Sequence, residues 1–337
     1  MVGLTPRCAP AELASALSAL EVSVTDLRVE RRDVTLADYP GGPRPSSVVH
    51  VSGQGETGRG ECVAFTDPEQ QAFATSMAAW FGGRSPHMRV DRAIGSEVSG
   101  YGKAALEAAL IDLGLRQTGL SLHQLTGVRE MPLRFVVSLA ADPEPEAAIA
   151  RMRAEGFTGE LKIDVDPSWS DATMAALAAD PSIAVFDFKG KNELALANRL
   201  AVLNRRAWFE DPPNEFEDPR GRVSRDASLS NADAVNRARA RAEGVNLKAP
   251  RMGGPLEVLR GLDQALTQRP GCAPVIAYLG GMFEVSVGRA QARQLAALYC
   301  PTGPNDLAPN LAATAATPRQ RSPVLIRFDQ VGFGEGD

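Results

Sequence analysis

Basic surface, histidine and cysteine are all scarce in this 337-residue chain, and each shortage removes a class of function. Acids outnumber bases 41 to 36, leaving a net charge of −5. Binding a phosphate backbone needs a concentrated basic surface, so a nucleic-acid partner is not expected. The one basic run, RARAR at 237–241, reads as the solvated face of a helix. Cys8, Cys62, Cys272 and Cys300 form no C-x-x-C pair. A thiolate zinc site is therefore not expected, and the reading is reduced thiols in a cytoplasmic protein. The only histidines are His50, His87 and His123, which leaves the later catalytic-type segments without an imidazole. No apolar run reaches 18 residues, and no apolar stretch follows a basic one at the amino terminus. Neither a membrane span nor a signal peptide is expected. What remains is an ordinary globular composition, 44% hydrophobic and 23% charged, long enough for two domains.

Residues 20–65 alternate as antiparallel strands, interrupted by the Gly/Pro-rich segment DYPGGPRPSS at 38–47. VVHVSG and GRGECVAF read as a hairpin around GQGETG. This turn contains a literal G-x-G-x-x-G (Gly53, Gly55, Gly58), but a strand follows it where a dinucleotide site needs a helix. Residues 101–125 carry apolar side chains at three- and four-residue steps and predict a helix, with Glu107 and Asp112 inside it. From about 132, short β-rich segments alternate with Ala/Leu/Arg-rich helical ones: LRFVVSLAA, ELKIDV, IAVFDF, AWFED, RVSRD, GVNLK and PVIAYL, with ALYCP as an eighth. That alternation predicts a parallel sheet with helices outside, closing as a barrel. NEFEDPRG is too short and polar for a good helix, so the fourth-to-fifth connection is expected to be degenerate. VLIRFDQVGFG near the end predicts a strand returning to the amino-terminal sheet.

Three of these segments end in a carboxylate, Asp187, Glu210 and Asp226, and the next delivers Lys248, at separations of 23, 16 and 22 residues. Neighbouring strands lie about 4.8 Å apart, so acids at one end of three adjacent strands can converge on a single cation. Catalytic groups of such barrels gather at the carboxyl ends of the strands. Mg²⁺ takes hard oxygen ligands and acts as a Lewis acid on a substrate carboxylate; a lysine can then remove the α-proton.

The ordered motifs resemble the enolase superfamily, in its muconate-lactonizing, o-succinylbenzoate-synthase and N-acylamino-acid-racemase-like branch of the mandelate racemase/muconate lactonizing enzyme family. GRGECV resembles the glycine–acid turn of the capping domain, and AALEAALIDLGLRQTGLSLHQLTG its signature helix. FEDPP resembles the fourth-strand Glu-x-Pro motif, VNLKAPRMGG the sixth-strand lysine motif, and GGMFEVSVGRAQARQLAAL the seventh-strand motif near the substrate. The resemblance implies an α/β fold: a modified (β/α)7β TIM barrel at 131–309 under an α+β cap made from 1–130 and 310–337. It implies Mg²⁺ on Asp187, Glu210 and Asp226, a small carboxylate substrate, a mobile cap loop at 38–47, and a homo-oligomer.

Where the branch has Lys-x-Lys on the second strand, this chain has Glu160-Leu-Lys162-Ile-Asp164. Either Lys162 is the catalytic second lysine and Glu160 replaces the first, or Lys162 is the first and Asp164 replaces the catalytic one. The short run to Asp187 favours the former, with Lys162 and Lys248 as catalytic bases. Lys189 shares a face with Asp187 by the two-residue period and is a candidate for a substrate anion, a solvated rim lysine being the plain alternative. Glu284, Tyr39 and Arg44 are further candidates for substrate contact. Glu284 can equally serve as an ion-pair partner of Arg289. Dehydration, cycloisomerisation and epimerisation share one enediolate step. The altered second strand favours one-base chemistry, with an o-succinylbenzoate-synthase-like or muconate-lactonizing-like lyase or isomerase first. A sugar-acid dehydratase and a non-catalytic binding protein on the same scaffold are the alternatives.

Overall fold

The computed structural model describes residues 8–35, 43–98, 100–240, 242–268, 275–308 and 321–334. In the amino-terminal unit, α1 (Pro10–Ser18) and β1 (Glu21–Ser23) precede an antiparallel sheet of β2 (Asp26–Val34), β3 (Arg44–Gly53) and β4 (Glu56–Cys62). Then come α2 (Asp67–Gly82), β5 (His87–Arg89), α3 (Val90–Ala93), α4 (Gly100–Thr118), α5 (Leu122–Thr126) and β6 (Glu130–Leu133), with β5 pairing with β1. The expected 38–47 loop is shorter than foreseen, because 44–47 already pair with β2. The predicted hairpin forms around Gln54 and Gly55, both at positive φ (55° and 82°), the backbone a two-residue turn needs.

The glycine motif serves packing. A Cβ on Gly58 or Gly60 would fall 2.1 Å from the Ala109 carbonyl and 1.9 Å from the Ala105 carbonyl. α4 therefore lies directly on the β4 backbone. Its side chains are buried without a break from Ala104 to Leu115, as expected of a helix covered on every side. The 101–125 helix breaks at Gly119 (φ 67°), giving α4 and α5.

Next come β7 (Val136–Leu139), α6 (Pro145–Ala154), β8 (Glu160–Asp164), α7 (Asp171–Ala179), β9 (Ile183–Asp187), α8 (Leu194–Leu203), β10 (Trp208–Glu210) and β11 (Val223–Arg225). α9 (Ala232–Ala238), β12 (Gly244–Leu247), α10 (Ala249–Met252), α11 (Pro255–Leu266), β13 (Ile276–Leu279), α12 (Val287–Tyr299) and β14 (Val324–Arg327) complete the order. β7 to β13 lie side by side in sequence order, every pairing parallel. No helix separates β10 from β11, the expected degenerate unit. Phe216 packs on Phe209 there (5.2 Å between centroids), and Arg222 donates to Asp218 at 2.8 Å.

The eighth segment differs from expectation. Residues 297–299 of ALYCP finish α12, and the seam between β7 and β13 is bridged by residues 305 and 306. Fully buried Asn305 donates to the carbonyls of Arg134 (2.9 Å) and Cys300 (2.8 Å) and accepts from the Leu279 N–H (2.9 Å). One amide side chain thus satisfies both edges. The tail strand does not join the amino-terminal sheet, though beyond it Gly332 donates to the Leu120 carbonyl at 3.1 Å and Phe333 to Asp112 at 2.8 Å. β14 pairs with β6, which has no other strand partner among the described residues, and not with the three-stranded sheet. No helix among the described residues is long and apolar enough to cross a membrane.

Candidate active site

The strand register brings the acids level. Glu210 pairs with Asp187, and Asp164 pairs with Asp187 from the other side, all at the carboxyl ends of β8, β9 and β10. Asp226 and Lys248 directly follow β11 and β12. Asp187, Glu210 and Asp226 are at most 4% exposed and Lys248 6%.

Lys162 lies two residues before Asp164, on the same strand face but one step deeper, opposite Val185. Its ammonium contacts Glu210, approaches Asp187 Oδ2 at 2.9 Å and Asp306 Oδ2 at 3.5 Å. The side chain is 1% exposed. Burial acts against the charge, but the carboxylates of Asp187, Glu210, Asp306 and Asp226 outweigh it and hold Lys162 well above the ordinary lysine range. It is thus the cation beneath the acids, and the rim level belongs to Asp164. In this arrangement its ammonium is engaged by the acids that surround it.

Lys189 sits at the rim with a half-exposed side chain, reaching Asp187 and, at 3.1 Å, Asp164. Its backbone is left-handed (φ 53°) and its N–H donates to Asp187 Oδ1 at 2.9 Å. Burial tends to raise Asp187, but the Lys162 and Lys189 ammoniums hold it well below the usual carboxylate range. Glu210 accepts from the Tyr278 hydroxyl at 2.6 Å and Asn246 Nδ2 at 3.1 Å. Burial, reinforced by Asp187 and Asp226, pushes Glu210 up while Lys162 draws it back. Asp226 accepts from Lys248 at 2.7 Å and from Arg251. Its backbone N–H donates to Asp211 Oδ1 at 3.0 Å, so Asp211 orients the loop that carries it.

Two of the candidate substrate contacts have partners within the protein. Arg44 is fully buried on β3, donating to the carbonyls of Ala64 (2.8 Å), Val63 and Met282 (3.3 Å) under the Phe65 ring. It ties the amino-terminal unit to the barrel and does not ride on a loop. Glu284 is 2% exposed; it accepts from the Met282 N–H at 2.9 Å and faces Arg289 at 3.7 Å, the ion-pair alternative. Tyr39 lies outside the described residues. The structure adds Arg251, Asn246, Tyr278 and Asp306 to the cluster. Asn246 and Lys248 share a strand face by the two-residue period, which is a readable signal. Asp306 comes from the seam segment, oriented by Ser138 (2.7 Å), and had none.

The donor set fits a hard divalent cation in kind: buried carboxylate oxygens on successive strands, two of them, Asp187 and Glu210, converging on one cationic point. Lys162's ammonium stands at that point. Among the described residues no three such side chains already form an open metal cage. A divalent ion at this point would therefore have to replace the Lys162 ammonium.

Residues 15–125 match the N-terminal domain, and residues 129–312 the C-terminal domain, of a family described as a domain of unknown function (DUF8230). The chain is similar to N-succinylamino acid racemase of Thermus thermophilus, 30% identical over 224 residues, covering 61% of this chain and 59% of that protein. It is similar to o-succinylbenzoate synthase of Enterococcus faecalis, 26% identical over 283 residues, covering 75% and 76%. The first match thus spans about three fifths of the racemase's length. Muconate lactonizing enzyme from Pseudomonas putida superposes with a TM-score of 0.71 at 19% identity, covering 92% of this chain and 96% of that one. A dipeptide epimerase from Enterococcus faecalis V583 superposes with a TM-score of 0.71 at 18% identity, covering 93% and 99%. Likeness at that identity speaks for a common fold.

Proposed function

The chain belongs to the DUF8230 family and, by fold and by its named relatives, to the enolase superfamily; from that premise we propose that it is a Mg²⁺-dependent enzyme that removes a proton α to a carboxylate. One observation carries the reading: Asp187, Glu210, Asp226 and Lys248 end or directly follow four consecutive parallel strands and meet in one buried cluster. Asp187, Glu210 and Asp226 would hold the ion. When bound, Mg²⁺ supplies Lewis-acid stabilisation of the negative charge that develops on the substrate carboxylate.

The chain's own residues do the rest. Tyr278 and Asn246 fix the Glu210 carboxylate, and Asp211 fixes the turn that carries Asp226. Lys162 neutralises Asp187 and Glu210 until the ion takes its place. Lys248, at the end of β12 and against Gly280, is the base that receives the α-proton at Nζ. Lys189, the half-exposed cation of the rim, meets an anionic group of the substrate. Asp164 stands where a second lysine would flank the substrate from the other side. One base removes a proton without delivering one to the opposite face, so dehydration or cycloisomerisation is favoured over epimerisation.

A second reading is a binding protein on the same scaffold. The observation in its favour is that the oxygens of Asp187, Glu210 and Asp226 are already engaged by protein donors. Exchange of α-protons with heavy water, followed by NMR over a panel of dicarboxylates and acyl amino acids with Mg²⁺, separates the two. Exchange in the wild type that falls at least about 100-fold in Lys248→Ala is expected, since positioned general bases contribute about 10²–10⁴. No exchange with any of them, despite binding, would favour the binding protein.

A further inference from the structure

Lys248 opens a continuous hydrogen-bonded turn whose far end is held by the amino-terminal unit. Its carbonyl accepts from the Met252 N–H at 3.0 Å. Ala249 O accepts from Gly253 (3.1 Å) and Gly254 (3.0 Å), and Gly254 O from Val258 (3.2 Å), the first turn of α11. Arg251, the second partner of Asp226, rides on the same turn. At its end, Glu107 of α4 accepts from the Leu256 N–H at 2.8 Å. Glu107 is 8% exposed and lies so close to Gly254 (φ 143°) that a Cβ there would fall 2.1 Å from its Oε1. Gly254 is thus needed both for its backbone angle and to admit the carboxylate. An acid at a helix N-terminus is well placed electrostatically.

We propose that Glu107 is a positioning residue for Lys248: its carboxyl docks the 248–256 turn against the amino-terminal unit, and that docking loosens as pH rises toward neutrality. The groups facing it are few. Lys103 lies on its own helix and against Gly253, while Glu257 and Arg260, paired with each other at 2.9 Å, face it from α11. Burial pushes the Glu107 carboxyl up to about 7, against the pull of the Leu256 N–H, Lys103 and Arg260, and with a further push from Glu257. A hydrated glutamate released from this site would lose its proton near about 4.3. Between those values the docked state holds more protons than the undocked one. Docking is therefore tightest at the acid end, weakens by up to about tenfold per pH unit, and levels off above about 7.

The positioning role rests on Lys248 being the base proposed above. The docking does not, and it can be measured without substrate or Mg²⁺. Amide hydrogen exchange by mass spectrometry on the full chain, from pH 5 to 8 and corrected for intrinsic rates, reads it through peptides covering 249–258. Their opening is expected to rise at least tenfold across that range in wild type. It is expected to be flat in Glu107→Gln, which keeps an acceptor for Leu256 but cannot titrate. Peptides from β2–β4 serve as the internal reference. Identical pH dependence in wild type and Glu107→Gln, or none in wild type, would overturn the proposal. Loss of α-proton exchange in Lys248→Ala bears only on the base assignment.

Discussion

At the scale of single residues, the site is a charge cluster in which each acid has its own cation or donor. Tyr278 shows how finely this is arranged. Its hydroxyl donates to Glu210 at 2.6 Å and lies 2.7 Å from Ser224, and burial beside Glu210 holds its pKa well above the tyrosine range. Removing the hydroxyl leaves a buried carboxylate one donor short. Tyr278→Phe is expected to lower stability by about 1.5–3 kcal/mol, the worth of a hydrogen bond to a charged group, and to weaken Mg²⁺ binding; urea denaturation and calorimetry read the two effects. The acids and Lys248 were legible in the sequence because each ends a strand-like segment and the segments come in order. Which lysine register holds was not. Both registers keep the alternation of side chains, and the sequence does not show that Asp164 pairs with Asp187.

At the scale of elements, seven parallel strands were readable from their apolar runs and punctuation, but the closure of the sheet was not. ALYCP has the composition of a strand and finishes a helix. The segment that closes the seam is polar and is recognised only through what Asn305 touches. Its amide partners lie up to 171 residues away in sequence, a separation no local pattern reports. Asn305→Ala leaves the buried Leu279 N–H and the Arg134 carbonyl without their partner, while the Cys300 carbonyl keeps the Gly303 N–H. It is expected to cost at least about 3 kcal/mol, seen as a lower urea midpoint. The internal partners of Arg44 and Glu284 were not legible for the same reason: charge on a segment near the mouth is compatible with substrate, and only burial reveals what each side chain touches.

At the scale of the whole molecule, the amino-terminal unit grips the barrel through buried acids. Glu61 accepts from the N–H groups of Val285 (2.6 Å), Ser286 (3.0 Å) and Gly288 (3.1 Å) at the start of α12, as Glu107 does at α11. The Glu107 contribution has a definite sign. Its folded pKa is raised, so the folded state binds more protons than the unfolded chain between about 4.3 and about 7, and stability falls with rising pH across that window. Thermal unfolding of Glu107→Gln is expected to be less pH-dependent than wild type from pH 5 to 7 and relatively more stable at pH 8. An unchanged pH slope would place the titration elsewhere.

The most direct measurement of the central claim is Mg²⁺ binding by titration calorimetry, on the wild type and on Glu210→Gln. Binding by the wild type that Glu210→Gln abolishes is the expected result. It would mean that the ion displaces the internal cations from Asp187, Glu210 and Asp226. No binding to the wild type, with or without carboxylates, would contradict the metal-dependent reading and leave Lys162 as the permanent cation of a binding protein.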